Sequence, residues 1–179
     1  MLKLSSYNGV EFIGVYAKAN ELLALAPNDA EKFFIDDVEE SLGVEVKRST
    51  IAGTNLLGSL IAMNSYGAVV TSMAMDSEVD MLSRKMNVAR IEDRLNAAGN
   101  NILVNDNGAI VNPDVHEMTL KLIEETLQVE VVPSSIAGHK VVGSVCSATN
   151  KGVLCHPDTK RSELELIRSV LKVPSAIGT

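Results

Sequence analysis

The chain has 179 residues, 46% of them hydrophobic and 22% charged, with a net charge of −7; this supports one sizeable core and excludes global disorder. No apolar run approaches the ~18 residues of a membrane span, and Met1-Leu2-Lys3-Leu4 leads into Ser, Tyr, Asn and Gly instead of a signal-peptide core, so a soluble cytoplasmic protein is expected. The negative balance argues against binding bare phosphate backbone, two cysteines make no disulfide framework, and zero Trp with three Tyr and three Phe leave little for base stacking or an aromatic cage.

Gly14, Gly58, Gly99 and Gly143 stand 44, 41 and 44 residues apart and open four similar units, the mark of a repeat architecture. In the first unit Val15-Tyr16-Ala17 reads as a strand, Asn20 as a turn residue and Pro27 as the end of a second strand. Ile35/Val38/Leu42 then follow one helix face, Val44-Glu45-Val46 reads as a third strand, and Ser49-Thr50-Ile51-Ala52-Gly53 closes the unit. The second unit has a strand at Ser59-Leu60-Ile61-Ala62, a hairpin turn at Asn64-Ser65-Tyr66-Gly67, a strand at Ala68-Val69-Val70 and a helix stripe Val79/Leu82/Met86; its third strand is less distinct. The third unit repeats this with Asn101-Ile102-Leu103-Val104, Asn105-Asp106-Asn107-Gly108, Ala109-Ile110-Val111, Leu120/Ile123/Leu127 and Val129-Glu130-Val131-Val132, and closes on Ser134-Ser135-Ile136-Ala137-Gly138. The fourth has Ser144-Val145-Cys146, Asn150-Lys151-Gly152, Val153-Leu154-Cys155 and the stripe Leu164/Ile167/Leu171, with Ser162 and Glu165 as a capping box. These Asn- and Gly-containing words are hairpin-turn chemistry, because Asn and Gly tolerate positive φ.

One such unit cannot bury both its sheet and its helix stripe, so the units must share a core. No atypical capping unit stands at either end, which favours a ring over a linear stack. The expected fold is α/β, a ring of ββαβ-type repeats in a single domain, residues 1–179, with units at 14–57, 58–98, 99–142 and 143–179.

The words Ile51-Ala52-Gly53, Gly58-Ser59-Leu60, Asn64-Ser65-Tyr66-Gly67, Leu95-Asn96-Ala97-Ala98-Gly99-Asn100 and Asn150-Lys151-Gly152-Val153-Leu154-Cys155-His156-Pro157 resemble the archaeal and eukaryotic translation initiation factor 6 family, the archaeal branch above all. The resemblance implies the pentein fold, a β/α propeller of five units about a pseudo-fivefold axis. A fivefold ring needs roughly 40 further residues, so a fifth repeat is expected to be absent from this chain, whose ending Ser175-Ala176-Ile177-Gly178-Thr179 resembles Ile51-Ala52-Gly53-Thr54. The resemblance also implies a non-enzymatic role without cofactor. Family members bind the large (50S) ribosomal subunit on the face that meets the small subunit, prevent their association, and take part in large-subunit biogenesis. In eukaryotes a GTPase and its cofactor release them. They dock chiefly on ribosomal protein uL14, with the sarcin-ricin loop nearby, and an acidic chain suits a basic protein better than bare rRNA. Carried onto this sequence, the candidate ribosome contacts are Ser59, Asn100 and Ser144, at equal offset after the unit glycines, and Asp106 in the neighbouring turn. Asn100 and Asp106 match family contact residues in type; Ser59 stands where eukaryotic members have Arg. The competing readings are strand-entry capping for Asn100 and an ordinary Asx turn for Asp106.

The pentein fold also carries enzymes that modify guanidines with a Cys nucleophile, a His and acidic residues. Cys146 falls where the sister units have Ala17, Ile61 and Ile102, and Cys155 where they have Ala26, Val70 and Val111. Both therefore read as buried apolar cysteines. His116, His139 and His156 read as surface or capping residues. There is no Cys-x-x-Cys, no His-x-x-x-His and no glycine-rich phosphate loop, so no metal or nucleotide is expected. A repeat scaffold with a different protein partner is the remaining alternative.

Overall fold

Each unit folds in one order: a single helical turn, an antiparallel strand pair, a longer helix, and a third strand that returns parallel to the second. The computed structural model describes residues 3–178. In the first unit the 3-10 turn Ile13–Val15 leads into β1 (Lys18–Ala19), β2 (Leu23–Pro27), α1 (Lys32–Leu42) and β3 (Glu45–Ser49). The second has α2 (Leu57–Leu60), β4 (Ile61–Met63), β5 (Gly67–Thr71), α3 (Asp76–Ser83) and β6 (Asn87–Ile91). The third has α4 (Ala98–Asn101), β7 (Ile102–Val104), β8 (Gly108–Val111), α5 (Glu117–Leu127) and β9 (Glu130–Pro133). The fourth has α6 (Val142–Val145), β10 (Cys146–Ala148), β11 (Val153–Cys155), α7 (Arg161–Leu171) and β12 (Ser175–Ile177). The result is four three-stranded sheets, with β1, β4, β7 and β10 side by side at the axis.

The core explains why the unit repeats. Under α3, Leu82 and, past the helix end, Met86 meet Leu23 and Leu25 from the first unit. Under α5, Ile123 and Leu127 meet Ala62 and Val69 from the second. Under α7, Ile167 and Leu171 meet Leu103 and Ile110 from the third. Each of these three helices thus covers its own sheet on one side while its unit's core is completed by the back of the preceding sheet, so nearest-neighbour packing carries the stability.

The opening glycines lie inside the helical turns, not ahead of strands. Val15, Ser59, Asn101, Ser144 and Val145 are therefore helical, and the strands begin later than their β-branched residues suggest. The reason is stacking. An ideal Cβ on Gly58 would lie 1.9 Å from the Gly14 carbonyl oxygen, one on Gly99 2.0 Å from that of Gly58, and one on Gly143 2.1 Å from that of Gly99. A single turn lets successive backbones touch, and any side chain would part them.

Two of the hairpin glycines, Gly67 and Gly108, likewise serve close approach rather than positive φ. Gly67, Gly108 and Gly152 are not among the residues of positive φ. A Cβ on Gly67 would meet the Thr126 carbonyl at 2.1 Å and one on Gly108 that of Val170 at 2.3 Å, each at the end of the next unit's helix. The first unit has Leu23 there because α3 is three residues shorter than α5 and stops at Ser83, leaving Met86 beyond the helix but still buried. Positive φ occurs instead in the closing words, at Ala52 and Gly53 and at Ala137 and Gly138.

Three further expectations change. The second unit does have a third strand, β6. Helix α7 begins at Arg161, so Ser162 lies within it, and the capping carboxylate is Glu163, which accepts from the Lys160 N–H at 2.7 Å. The ending Ser175–Ile177 is strand β12, paired to β11 with Ile177 opposite Cys155, as Arg48 stands opposite Ala26. It matches the strand before Ile51-Ala52-Gly53-Thr54, not that word itself, and Thr179 lies outside the described residues.

Candidate docking face

The short turns place three of the candidates together. Ser59, Asn100 and Ser144 are each the third residue of α2, α4 and α6, and these turns pack side by side at one end of the axis. Ser144 is exposed, and Ser59 and Asn100 are partly so. Among the described residues the Asn100 side chain has no hydrogen-bond partner; the neighbouring Asn101 does the capping, donating to the Leu95 and Ala97 carbonyls at 3.2 and 3.0 Å. Residues just ahead of the turns, which the sequence reading missed, add apolar surface: Phe12, Leu56 and Val141 are exposed at equivalent N-cap positions. Their spacing from the glycines was visible in the sequence, but their exposure depends on how the turns stack.

Asp106 belongs to the opposite end, beyond the far terminus of β7. Its carboxylate accepts from the Ser65 N–H (2.8 Å), the Ser65 hydroxyl (2.7 Å) and the Asn150 amide (2.7 Å). It is a tie between the second, third and fourth units; the Asx turn, the competing reading for this candidate contact, is made instead by Asn105, whose Oδ1 accepts from the Asn107 and Gly108 N–H groups. Asn150, read as the turn Asn of its unit, is the counterpart of Asp106; Thr149 holds the turn, its hydroxyl accepting from the Lys151 and Gly152 N–H groups.

Beside this tie runs a ladder of buried amides. Asn20 donates to the Asn64 carbonyl at 2.6 Å, Asn64 to the Asn105 carbonyl at 3.3 Å, and Asn105 to the Thr149 carbonyl at 3.1 Å. Asn64 and Asn105 also donate to the Leu127 and Leu171 carbonyls, at the ends of α5 and α7. The side chains line an axial cavity of about 300 Å³ bounded by all four units.

At the end that carries the short helical turns, carboxylates join each unit to the next. Glu78 accepts from the Thr50 hydroxyl and from the N–H groups of Ala52, Gly53 and Met75 at 2.6–3.1 Å. Glu163 repeats this with the Ala137 N–H. Asp93 reverses it, reaching from the second unit to the His116 N–H and Thr119 hydroxyl of the third. Burial pushes the carboxyls of Glu78, Asp93 and Asp106 up, but their hydrogen bonds outweigh it and hold all three below their ordinary values of 4.5, 3.8 and 3.8. A depressed folded pKa contributes stability that is complete above the unfolded value and is lost as the pH falls through the folded one. The melting temperature should therefore stay level from about pH 8 to pH 6 and drop below about pH 4. Glu78→Gln should lower it at neutral pH and flatten that acid limb; an unchanged limb would show that this carboxylate carries none of it.

The cysteines are both buried, in the cluster beneath α7. His156 faces His139 with ring centroids 5.5 Å apart, and its Nδ1 accepts from the Asp158 N–H at 3.2 Å, a local turn cap. His116 is the N-cap of α5. Among the described residues no group of three or more His, Cys, Asp or Glu side chains is placed to hold a metal ion, and no helix is long and apolar enough to cross a membrane.

Two solved structures share the fold at low identity. A DDAH from Pseudomonas aeruginosa, complexed with citrulline, superposes with a TM-score of 0.53 at 12% identity, covering 93% of this chain and 69% of that one. SxtG, an amidinotransferase from Microseira wollei, gives 0.52 at 9% identity over 88% and 59%. These establish the pentein architecture and nothing about chemistry. Sequence relatives are much nearer. Translation initiation factor 6 of Methanocorpusculum labreanum is 39% identical over 175 residues, 97% of this chain and 79% of its own length. The Thermoplasma acidophilum factor is 36% identical over 179 residues, 100% and 82%. Eukaryotic translation initiation factor 6 of Saccharomyces cerevisiae is 36% identical over 173 residues, 93% and 71%. A sequence model of the eIF-6 family matches residues 2–179, and on that match and these relatives the chain belongs to the eIF-6 family.

Proposed function

We propose that this protein is a translation initiation factor of the cytoplasm that binds the large ribosomal subunit and keeps it from joining the small one, without catalysis. Family membership carries the reading, and the docking end supplies the means: a row of short polar side chains, Ser59, Asn100 and Ser144, beside the exposed Phe12, Leu56 and Val141. Such a surface suits a protein partner, and the net charge of −7 favours a basic one such as uL14 near the sarcin-ricin loop, speeding encounter. The test is co-sedimentation with large subunits and a subunit-joining assay. Ser59→Glu with Asn100→Arg should weaken binding at least tenfold, about 1.4 kcal/mol, with the melting temperature nearly unchanged. Asp106→Asn should instead lower stability and leave the affinity of the folded protein intact. Joining that proceeds unaffected at saturating protein would overturn the reading.

The ring is, in this proposal, built for a fifth unit between the fourth and the first. Leu154 is 57% exposed and Leu42 54% exposed, whereas Ile110 and Leu127 at the matching positions are fully buried. Gly14 has open space where its three sisters touch a neighbour. Tyr7 and Val10, bridging across Asn8 and Gly9 of positive φ, have the build of the closing words Ile51–Thr54 and Ile136–His139 and lead into the first unit as those lead into the next. Leu154→Arg should leave the melting temperature of this chain unchanged and lower it in a chain extended by a fifth unit.

A further inference from the structure

The chain's two cysteines are set face to face by the fourth hairpin, where Cys146 of β10 pairs with Cys155 of β11 in antiparallel register. The His156 N–H donates to the Val145 carbonyl at 2.9 Å and the Thr149 N–H to the Gly152 carbonyl at 3.0 Å. Hydrogen-bonded and non-bonded pairs alternate along such a ladder, which makes Cys146 and Cys155 a non-bonded pair, the kind with Cα atoms ~4.5 Å apart. That lies inside the ~4.4–6.8 Å a disulfide spans. Both side chains enter the cluster beneath α7. The sister pairs at this register are Ile61 with Val70 and Ile102 with Val111, so packing alone does not call for sulfur.

Access in this chain comes from the outer face of the fourth sheet, the face a fifth unit would cover. Strands β2, β5 and β8 are buried along their whole length, but β11 alternates, with Leu154 uncovered between two buried residues. A sheet packed on one face opens locally more readily than one packed on both.

We propose that Cys146 and Cys155 form a reversible dithiol/disulfide site, oxidised by low-molecular-weight disulfides, that staples the fourth hairpin. The Cys155 thiolate attacks one sulfur of the small disulfide RSSR, forming a mixed disulfide and releasing RS⁻. The Cys146 thiolate then attacks the Cys155 sulfur and releases the second RS⁻. The protein loses two protons and two electrons, and RSSR is reduced to two thiols. Cys155 leads because burial pushes the Cys146 thiol up to about 12, whereas at Cys155 the same push is countered by the Cys146 thiol and the Arg168 guanidinium.

The test treats the folded protein with oxidised glutathione, alkylates remaining thiols and maps peptides by mass spectrometry. The expected product is a monomer lighter by two hydrogen atoms, with Cys146 joined to Cys155, melting about 5 °C higher and returned to the dithiol form by dithiothreitol. Cys155→Val, which installs the sister residue, should abolish both the mass change and the melting shift. Two free thiols after prolonged treatment, a lasting glutathione adduct, or a disulfide between two chains would each overturn the proposal.

Discussion

Gly99→Ala should cost at least about 3 kcal/mol of stability. The added Cβ would lie 2.0 Å from the Gly58 carbonyl oxygen and 2.7 Å from that of Ile61, and both obstacles are backbone. Relief requires the second and third units to separate, which would loosen the cluster uniting Ala62 and Val69 with Ile123 and Leu127. Gly14→Ala supplies the control, since its Cβ meets nothing within 4 Å; it should fall within about 1 kcal/mol of the parent. Urea unfolding followed by circular dichroism distinguishes the two. Equal midpoints for both variants would mean that the opening glycines do not set the spacing of the units.

Asn105→Ala should be nearly as damaging, about 3 kcal/mol. Its amide satisfies the carbonyls of Thr149 and Leu171, and its Oδ1 accepts from the N–H groups of Asn107 and Gly108 at 3.0 and 3.2 Å. The residue is buried, so removal strands several polar groups away from water. Thr149 occupies the same turn position, but among the described residues its hydroxyl bonds only within its own turn; Thr149→Ala should cost about 1 kcal/mol or less. Unfolding midpoints that ranked the two variants in the opposite order would show that the cross-unit bonds contribute little.

The stripes at spacing 3 and 4 located all four long helices, because one face of each must be apolar to meet a sheet. They also located the turns, where Asn and Gly interrupt the strands. They did not show that Leu42 would be exposed and Leu127 and Leu171 buried, since these positions differ only in whether a preceding unit covers them. The cysteines were legible as core residues because three sister units supplied aliphatic residues in the same slots; that they face one another required the strand register. Of the candidate contacts, Ser59, Asn100 and Ser144, at equal offset, lie on adjacent turns. Asp106 lies only six residues beyond Asn100 in the chain, yet β7 intervenes and carries it to the other end.

What the sequence by itself determined is the unit and its family: local periodicity and turn chemistry act over a few residues, and a word repeated at a constant interval is readable without coordinates. What the tertiary structure decided is why the recurrent positions of that unit are what they are. Gly58, Gly99 and Gly143 touch the backbone of the preceding unit; Gly67 and Gly108 touch that of the following one. Asn64 and Asn105 satisfy carbonyls 41 to 66 residues away. Such contacts have no local signature, because the partner of each residue is set by the stacking of whole units.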